Sequence, residues 1–302
     1  MYTNSLFQES WWLDAIAPGQ WIELKVEENG IVLARWAIIY ANKKIALPRY
    51  TPSAAIWLNK DYIQTTADEE KVYLKLIEQL PKTSSIEICL SPENHFYLPF
   101  LWNDFDVTPV ATYIIDDLSD LDAVFHRMSN SIQRDIKQAS KKVEVKITND
   151  ILKLIKMTSD TYARQGRSYI VNEDNLKRLY AAAYERGACT LLEAVDSEGH
   201  THSMTLFVYD SNRCYYLVGA SDPVLNAKSC ANTLLIWEGI KIASQHSKIF
   251  DFEGSSIHGI GTFFRRFGAK FSFSFRISKH NLKGNLYKVI KPRVKKILGH
   301  KK

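Results

Sequence analysis

The order of the predicted elements constrains the fold of this chain more than any single motif, because that order occurs twice. In the first half, a hairpin around Gly30 precedes a third strand, an irregular loop, a helix at 69–80 and the strand SIEICL. In the second half, a hairpin around Gly199 precedes the same series, which closes with IFDFEG at 249–254. Sequence identity between the halves is negligible, so only the pattern repeats. The pattern predicts an α+β chain built from two similar domains.

Length and composition agree with two globular domains. The chain has 302 residues, of which 46% are hydrophobic and 24% are charged. We place the boundary after residue 142, which gives an N-terminal domain at 1–142 and a C-terminal domain at 143–302. No apolar run reaches the roughly 20 residues that span a bilayer, and the N-terminus lacks the features of a secretory signal. The four cysteines are scattered, which favours a reducing, cytoplasmic location and no metal site.

Charge is distributed unevenly along the chain. No Asp or Glu follows Glu253, whereas residues 254–302 contain 13 Lys and Arg. This basic segment is either a solvated tail or a surface for an anionic partner, namely phosphate, nucleic acid or a membrane. Its apolar stripe, which starts at Leu286, is expected to dock on the body of the protein. The alternative is an amphipathic helix at the membrane surface, with contact through residues 279–302.

The stretch IFDFEGSSIHGIGTFFRRFGAK at 249–270 is the predicted centre of the chemistry. A short apolar strand ends in Asp251 and Glu253, which should share a face because they lie two residues apart. Two neighbouring carboxylates raise the pKa of one of them, which suits acid–base catalysis. Alternatively, one carboxylate caps a helix or pairs with Arg265 or Arg266.

Four ordered stretches carry a family resemblance: SIQRDIKQASKKVEVKI, CYYLVGASDP, LLIWEGIKIASQ with IFDFEGS, and GIGTFFRRFGAK. They resemble the two-domain Fem-like group of the GNAT superfamily, which includes the FemABX peptidoglycan-bridge aminoacyltransferases and related Bacteroidetes GNAT proteins. The resemblance implies two tandem GNAT-like domains, each with a mixed, mainly antiparallel sheet flanked by helices. It also implies transfer of an acyl or aminoacyl group, from a thioester or an aminoacyl-tRNA, to an amine such as a cell-envelope precursor.

The resemblance also suggests roles for individual residues. Asp251 and Glu253 are the catalytic candidates. The candidates for substrate binding are Arg265, Arg266, Phe264, His258 and Tyr216. The candidates for binding the donor, acyl-CoA or aminoacyl-tRNA, are Lys228, Ser229 and Asn232.

Two departures from the family pattern affect these roles. Acyl-CoA members of the superfamily hold a diphosphate on a glycine-containing loop before a helix, but DPVLNAKSCAN has no glycine. Lys228, Ser229 and the amides before Asn232 are left to bind phosphate. The Fem-like group tends to carry an aromatic–lysine pair shortly before Phe-Gly, whereas this chain has Phe264 followed by Arg265 and Arg266.

Two functions from different classes follow from these features. The first is an N-acyltransferase with an amine acceptor, which uses the basic face at Arg134, Lys137 and Lys141 if the donor is a tRNA. The second is a non-catalytic Fem-like module that binds a phosphorylated envelope or polysaccharide intermediate at the membrane surface. The first predicts a cytoplasmic protein, and the second predicts one that is peripheral at the inner face of the membrane.

Overall fold

A computed structural model describes residues 5–164, 166, 173–254 and 257–280. The described residues form two compact units, one made of 17–110 and 274–280 and the other of 5–16 and 111–273. Residues 111–142 therefore pack within the second unit. The domain boundary after residue 142 is placed from the order of the predicted elements and not from their packing, and it stays a prediction. The apolar stripe from Leu286 lies outside the described residues.

Strands and helices are both abundant, which confirms the α+β class. Among the described residues the strands are β1 Trp21–Glu28, β2 Ile31–Ala41, β3 Lys44–Ala46, β4 Ile56–Leu58, β5 Ser85–Cys89, β6 Asp106–Ile115, β7 Glu144–Ile147, β8 Cys189–Val195, β9 Thr201–Tyr209, β10 Arg213–Ser221, β11 Ile249–Asp251 and β12 Lys270–His280. The α-helices of the same residues are α1 Ser10–Ile16, α2 Thr66–Glu78, α3 Leu98–Trp102, α4 Leu121–Arg127, α5 Asn130–Ala139, α6 Ile151–Arg164, α7 Glu173–Tyr184, α8 Pro223–Ser229, α9 Ala231–His246 and α10 His258–Arg266. No helix in the described part of the chain combines the length and the apolar character needed to cross a bilayer.

The first unit is a mixed sheet with α2 on one side. Strands β1 and β2 form the predicted hairpin, and Asn29 and Gly30 at its turn both have positive φ, as a tight two-residue hairpin turn requires. Antiparallel β2–β3 and β5–β12 pairs flank a parallel β3–β5 pair, and β4 pairs with β2. The predicted helix at 69–80 begins earlier, at Thr66, because Thr65 and Asp68 form a capping box.

The second unit is a sheet in the order β6–β11–β10–β9–β8–β7. Only β10 and β11 run parallel, and the other neighbours are antiparallel. Helix α9 packs on β9 and β10 and buries Leu235 and Ile236 completely. The segment after Ser119 forms two helices, because Asp120 caps α4 and Ser129 caps α5.

Candidate active site

Two neighbouring strands of the second unit separate part of the way along their length. Strand β10 pairs with β11 only from Arg213 to Tyr215, and β11 ends at Asp251 while β10 continues to Ser221. The chain after β11 stays beside β6, since the N–H of Phe252 donates to the carbonyl of Tyr113 at 3.0 Å. An opening therefore lies along the second half of β10, on the side where β11 would have continued.

Glycine at position 254 allows this separation. A Cβ on Gly254 would overlap the carbonyl oxygen of Ala111 on β6. Only a residue without a side chain can bring the backbone this close to its neighbour. The chain that leaves β11 can thus remain against β6 instead of following β10.

The free edge of β10 presents backbone donors to the opening. The N–H of Asp222 donates to the carbonyl of His202 on β9 at 3.0 Å. Because antiparallel residue pairs alternate between bonded and non-bonded, Gly219 and Ser221 direct their N–H and C=O groups away from β9. The carbonyl of Ser221 indeed accepts from Nη2 of Arg164 at 3.3 Å. The N–H of Gly219 is left as a donor at an exposed residue between two buried ones.

A cavity of about 370 Å³ occupies this opening. It is lined by Thr161, Arg164, Tyr216, Gly219, Ala220, Ser221, Pro223 and Asn232. The hydroxyl of Tyr216 donates to Oδ1 of Asn232 at 3.4 Å. Burial raises the pKa of Tyr216 to about 12, so this hydroxyl keeps its proton at neutral pH and acts as a donor. The cavity thus combines an accessible backbone amide with a protonated phenol.

Asp251 is buried in an ion pair at the end of β11. Its side chain accepts from Nη1 of Arg213 at 2.7 Å, from Oγ1 of Thr112 at 2.6 Å and from the N–H of Glu253 at 2.9 Å. Burial raises the pKa of Asp251, and the Arg213 charge acts in the opposite direction. The partner of this carboxylate is thus Arg213, and neither Arg265 nor Arg266, the partners considered from the sequence.

Glu253 does not share a strand face with Asp251, so that expectation was wrong. Strand β11 ends at Asp251, and Glu253 has φ +53, where the chain turns to place Gly254 against β6. Its Oε1 atom is buried and has no hydrogen-bond partner among the described residues. Burial raises the pKa of Glu253 well above its usual range, and the negative charge of Asp251 adds a smaller effect in the same direction. Catalytic roles for both carboxylates stay predictions.

The stretch DPVLNAKSC, expected to be an irregular loop, is helix α8. Asp222 caps it by accepting from the N–H groups of Val224 and Leu225, and Pro223 occupies its first position. Lys228 is exposed near the end of this helix, and its carbonyl accepts from Nζ of Lys142. A regular helix therefore stands where the sequence suggested a loop for phosphate.

The amide groups that open α9 already have partners. The N–H of Ala231 donates to Oγ of Ser229 at 3.2 Å, and the N–H of Asn232 donates to Oδ1 of Asn226 at 2.9 Å. Ser229 is only 1% exposed, and its hydroxyl lies 2.8 Å from Nδ1 of His202. The start of α9 therefore does not fit the diphosphate of acyl-CoA, because its donors are used by the chain itself.

The other predicted substrate residues lie on α10. Phe264 is buried against Phe252, whereas His258, the first residue of the helix, is exposed. Arg265 donates to Thr262, and Arg266 donates to Ser131 on α5. Of the predicted substrate-binding set, Tyr216 lines the cavity described above, and its lining includes no residue of α10. The substrate role of the α10 residues stays a prediction.

Several residues of the site were not predicted from the sequence. Arg213, Thr112 and Arg164 act through contacts with residues 38 to 139 positions away along the chain, and such contacts have no local signature. Gly219 did carry a signal, because a lone glycine inside a strand often marks a close backbone approach.

Comparison with known proteins agrees with this architecture. Residues 110–256 match the family model of the acetyltransferase (GNAT) domain. No curated protein matches the chain by sequence. The fold is similar to that of FemX, with TM-score 0.67 and 15% identity over 95% of this chain and 94% of that one.

Two further solved structures have the same fold. One is the C-terminal domain of a putative lysylphosphatidylglycerol synthetase from Agrobacterium fabrum, with TM-score 0.58, 9% identity and coverage of 95% of this chain and 93% of that one. The other is a tandem GNAT protein from the clavulanic acid biosynthesis pathway, with TM-score 0.54, 10% identity and coverage of 88% and 85%. Residues 110–256 therefore match a GNAT acetyltransferase domain, and the chain has a fold similar to those of FemX and of a tandem GNAT protein.

Proposed function

We propose that the protein is an N-acyltransferase that moves an acyl group from an activated donor to an amine. The observation that carries this proposal is the separation of β10 from β11, which leaves the N–H of Gly219 facing a cavity. A fixed backbone donor at the edge of a cavity is what the oxyanion of an acyl-transfer intermediate needs. The match of residues 110–256 to the GNAT domain supports the same class of reaction.

The chemistry assigned to the cavity is direct transfer. A neutral amine attacks the acyl carbonyl and forms a C–N bond, while the carbonyl oxygen accepts from the N–H of Gly219. When the intermediate collapses, the bond from the acyl carbon to the leaving sulfur or oxygen breaks. The amine loses its proton to water, Tyr216, which is protonated at neutral pH, donates a hydrogen bond to the leaving sulfur or oxygen, and the leaving group takes its proton from water. No covalent enzyme intermediate is required.

The donor is either an acyl thioester or an aminoacyl-tRNA. Because the amides at the start of α9 have partners within the chain, a donor with a diphosphate has to place it elsewhere. The acceptor proposed from the family resemblance is an amine on a cell-envelope precursor. We accordingly propose that the protein works in the cytoplasm or at the inner face of the membrane, where residues 279–302 supply basic contacts.

The experiment that tests this function uses Gly219→Ala and Tyr216→Phe. A Cβ at position 219 would overlap the hydroxyl of Tyr216, so it narrows the cavity beside the proposed oxyanion donor. Transfer from acetyl-CoA and from charged tRNA to a panel of amines is followed by thiol release and by mass spectrometry. We expect each variant to lower kcat at least about tenfold. Tyr216→Phe loses one hydrogen bond to the transition state, and Gly219→Ala keeps its N–H but its methyl group crowds the place of the oxyanion and displaces Tyr216.

Gly259→Ala is the matched control. Position 259 lies in α10, and a Cβ there meets nothing within 4 Å, so this variant should keep full activity. Full activity of Gly219→Ala would contradict the assignment of the oxyanion donor. If neither donor is consumed but a phosphorylated envelope intermediate binds, the non-catalytic module is the better description.

A further inference from the structure

A second cavity, of about 420 Å³, adjoins the one beside β10. It lies between one face of α6, the turn of the β8–β9 hairpin and the start of α8. The two cavities share Arg164 and Ser221 in their linings. Its volume falls within the range of small-molecule sites, about 300–1,000 Å³. A ligand held in the second cavity can therefore reach toward the β10 opening.

Helix α6 presents charges of both signs to this second cavity. Lys156, Asp160 and Arg164 all line it, and their spacing of four residues places them on one helix face. All three side chains are exposed, and none of them forms an ion pair within 4 Å among the described residues. Arg164 is oriented by hydrogen bonds to Thr161 and to the carbonyl of Ser221.

The remaining charges around the second cavity are already used within the chain. Lys153 pairs with Glu193 at 2.5 Å. Asp222 caps α8, and the imidazole of His200 contacts Asp196 at 3.3 Å. Two cations and one carboxylate on α6 are thus left to interact with a ligand. They suit a molecule that carries both a carboxylate and an ammonium group.

We propose that this second cavity binds the acceptor amine as an amino acid or short peptide with free termini. The proposal rests on the acyl-transfer function above. Lys156 holds the carboxylate, and Asp160, one helical turn further along α6, holds the ammonium group in which the amine exists at neutral pH. Asp160 is one helical turn, roughly 6 Å along the axis, from Arg164, which also lines the β10 cavity. The amine end of the ligand therefore lies nearer to the β10 opening than the carboxylate does, and it reacts there after losing a proton.

The test is an equilibrium binding experiment, which needs no donor. The probes are the dipeptide glycylglycine, its C-terminal amide, which lacks the carboxylate, and its N-acetyl form, which lacks the ammonium group. Binding is measured by saturation-transfer NMR at millimolar concentrations. We expect the dipeptide to bind at least about threefold more tightly than either blocked form, since each blocked form loses a charge-assisted hydrogen bond.

The variants assign each contact to its residue. Lys156→Gln should weaken binding of the dipeptide about three- to tenfold and leave binding of its C-terminal amide unchanged. Asp160→Asn should weaken binding of the dipeptide and leave binding of the N-acetyl form unchanged. The matched control is Lys146→Gln, because Lys146 is exposed on β7, is absent from the cavity lining and pairs with Glu144.

Three results would overturn this inference: no binding of the dipeptide, equal binding of the amide, or an equal effect of Lys146→Gln. Its failure is distinguishable from failure of the proposed function. If Lys156→Gln leaves the acceptor KM unchanged while transfer proceeds, the acyltransferase stands and the acceptor site is wrong. If the dipeptide binds as predicted but no donor is consumed, the site stands and the acyltransferase is wrong.

Discussion

Replacing Asp251 with asparagine should destabilise the second unit strongly. Arg213 and Asp251 are each only 5% exposed at the side chain, and their N···O distance is 2.7 Å. Asparagine keeps an oxygen that can accept from Thr112, so the change removes chiefly the negative charge. The buried guanidinium of Arg213 then loses the carboxylate charge that lies 2.7 Å away, and breaking a buried pair in this way costs about 3–5 kcal/mol.

This loss is large compared with the total stability of a folded domain, about 5–15 kcal/mol. Because the chain has two units, one global unfolding free energy does not describe it. Hydrogen-exchange mass spectrometry in increasing urea measures the effect locally, in peptides from β6, β10 and β11. We expect these peptides to lose protection at a clearly lower urea concentration in Asp251→Asn, while peptides from β1 and β2 keep the wild-type midpoint.

Two further variants make the reasoning refutable. Glu144→Gln breaks an exposed pair with Lys146 in the same unit and should change stability by less than about 1 kcal/mol. The double variant Asp251→Asn with Arg213→Met should recover part of the loss, because it also removes the buried charge that had paired with Asp251. An unchanged urea midpoint in Asp251→Asn, or strictly additive effects in the double variant, would show that the buried charge is not the cause.

Three other variants follow from single contacts. Burial raises the pKa of Glu253 in the folded state above its unfolded value, so wild-type stability should fall as pH rises from about 4.3 through the folded pKa. Glu253→Gln removes this dependence and should show a smaller decrease in Tm between about pH 5 and about pH 9; parallel curves would contradict the burial argument. Gly239→Ala should reduce the free energy of unfolding by about 1–3 kcal/mol and so lower the urea midpoint, because its Cβ would overlap the ring of Phe207. An unchanged midpoint would mean that the ring moves freely. Ser229→Ala should cost about 1–3 kcal/mol in the same assay, since it removes the hydroxyl that contacts His202 and accepts from the N–H of Ala231; a neutral effect would mean that water replaces the hydroxyl.

Elements with local signals were predictable from the sequence. The Asn29–Gly30 turn and its alternating flanks specify the β1–β2 hairpin, and the strict alternation of FSFSFRIS specifies β12. Helix α8 was missed even though Asp222 and Pro223 are a helix-start signal. Its seven residues contain too few apolar positions to show a helical period.

Contacts between distant residues explain why the candidate site was predicted only in part. The position of Asp251 at a strand end followed from the apolar run before it, but its partner Arg213 lies 38 residues away. The conformation of Glu253 depends on how closely the backbone at Gly254 approaches Ala111, which no nearby residue encodes. Periodicity locates elements, whereas pairing between elements depends on the three-dimensional packing of the chain.

Because the first N–H groups of α9 already donate to side chains of the protein itself, the N-terminal end of that helix is a poor target for inhibitors. Nucleotide fragments that imitate the diphosphate of coenzyme A should compete weakly with the natural donor. Compounds that place a hydrogen-bond acceptor opposite Gly219 and Tyr216 should compete well.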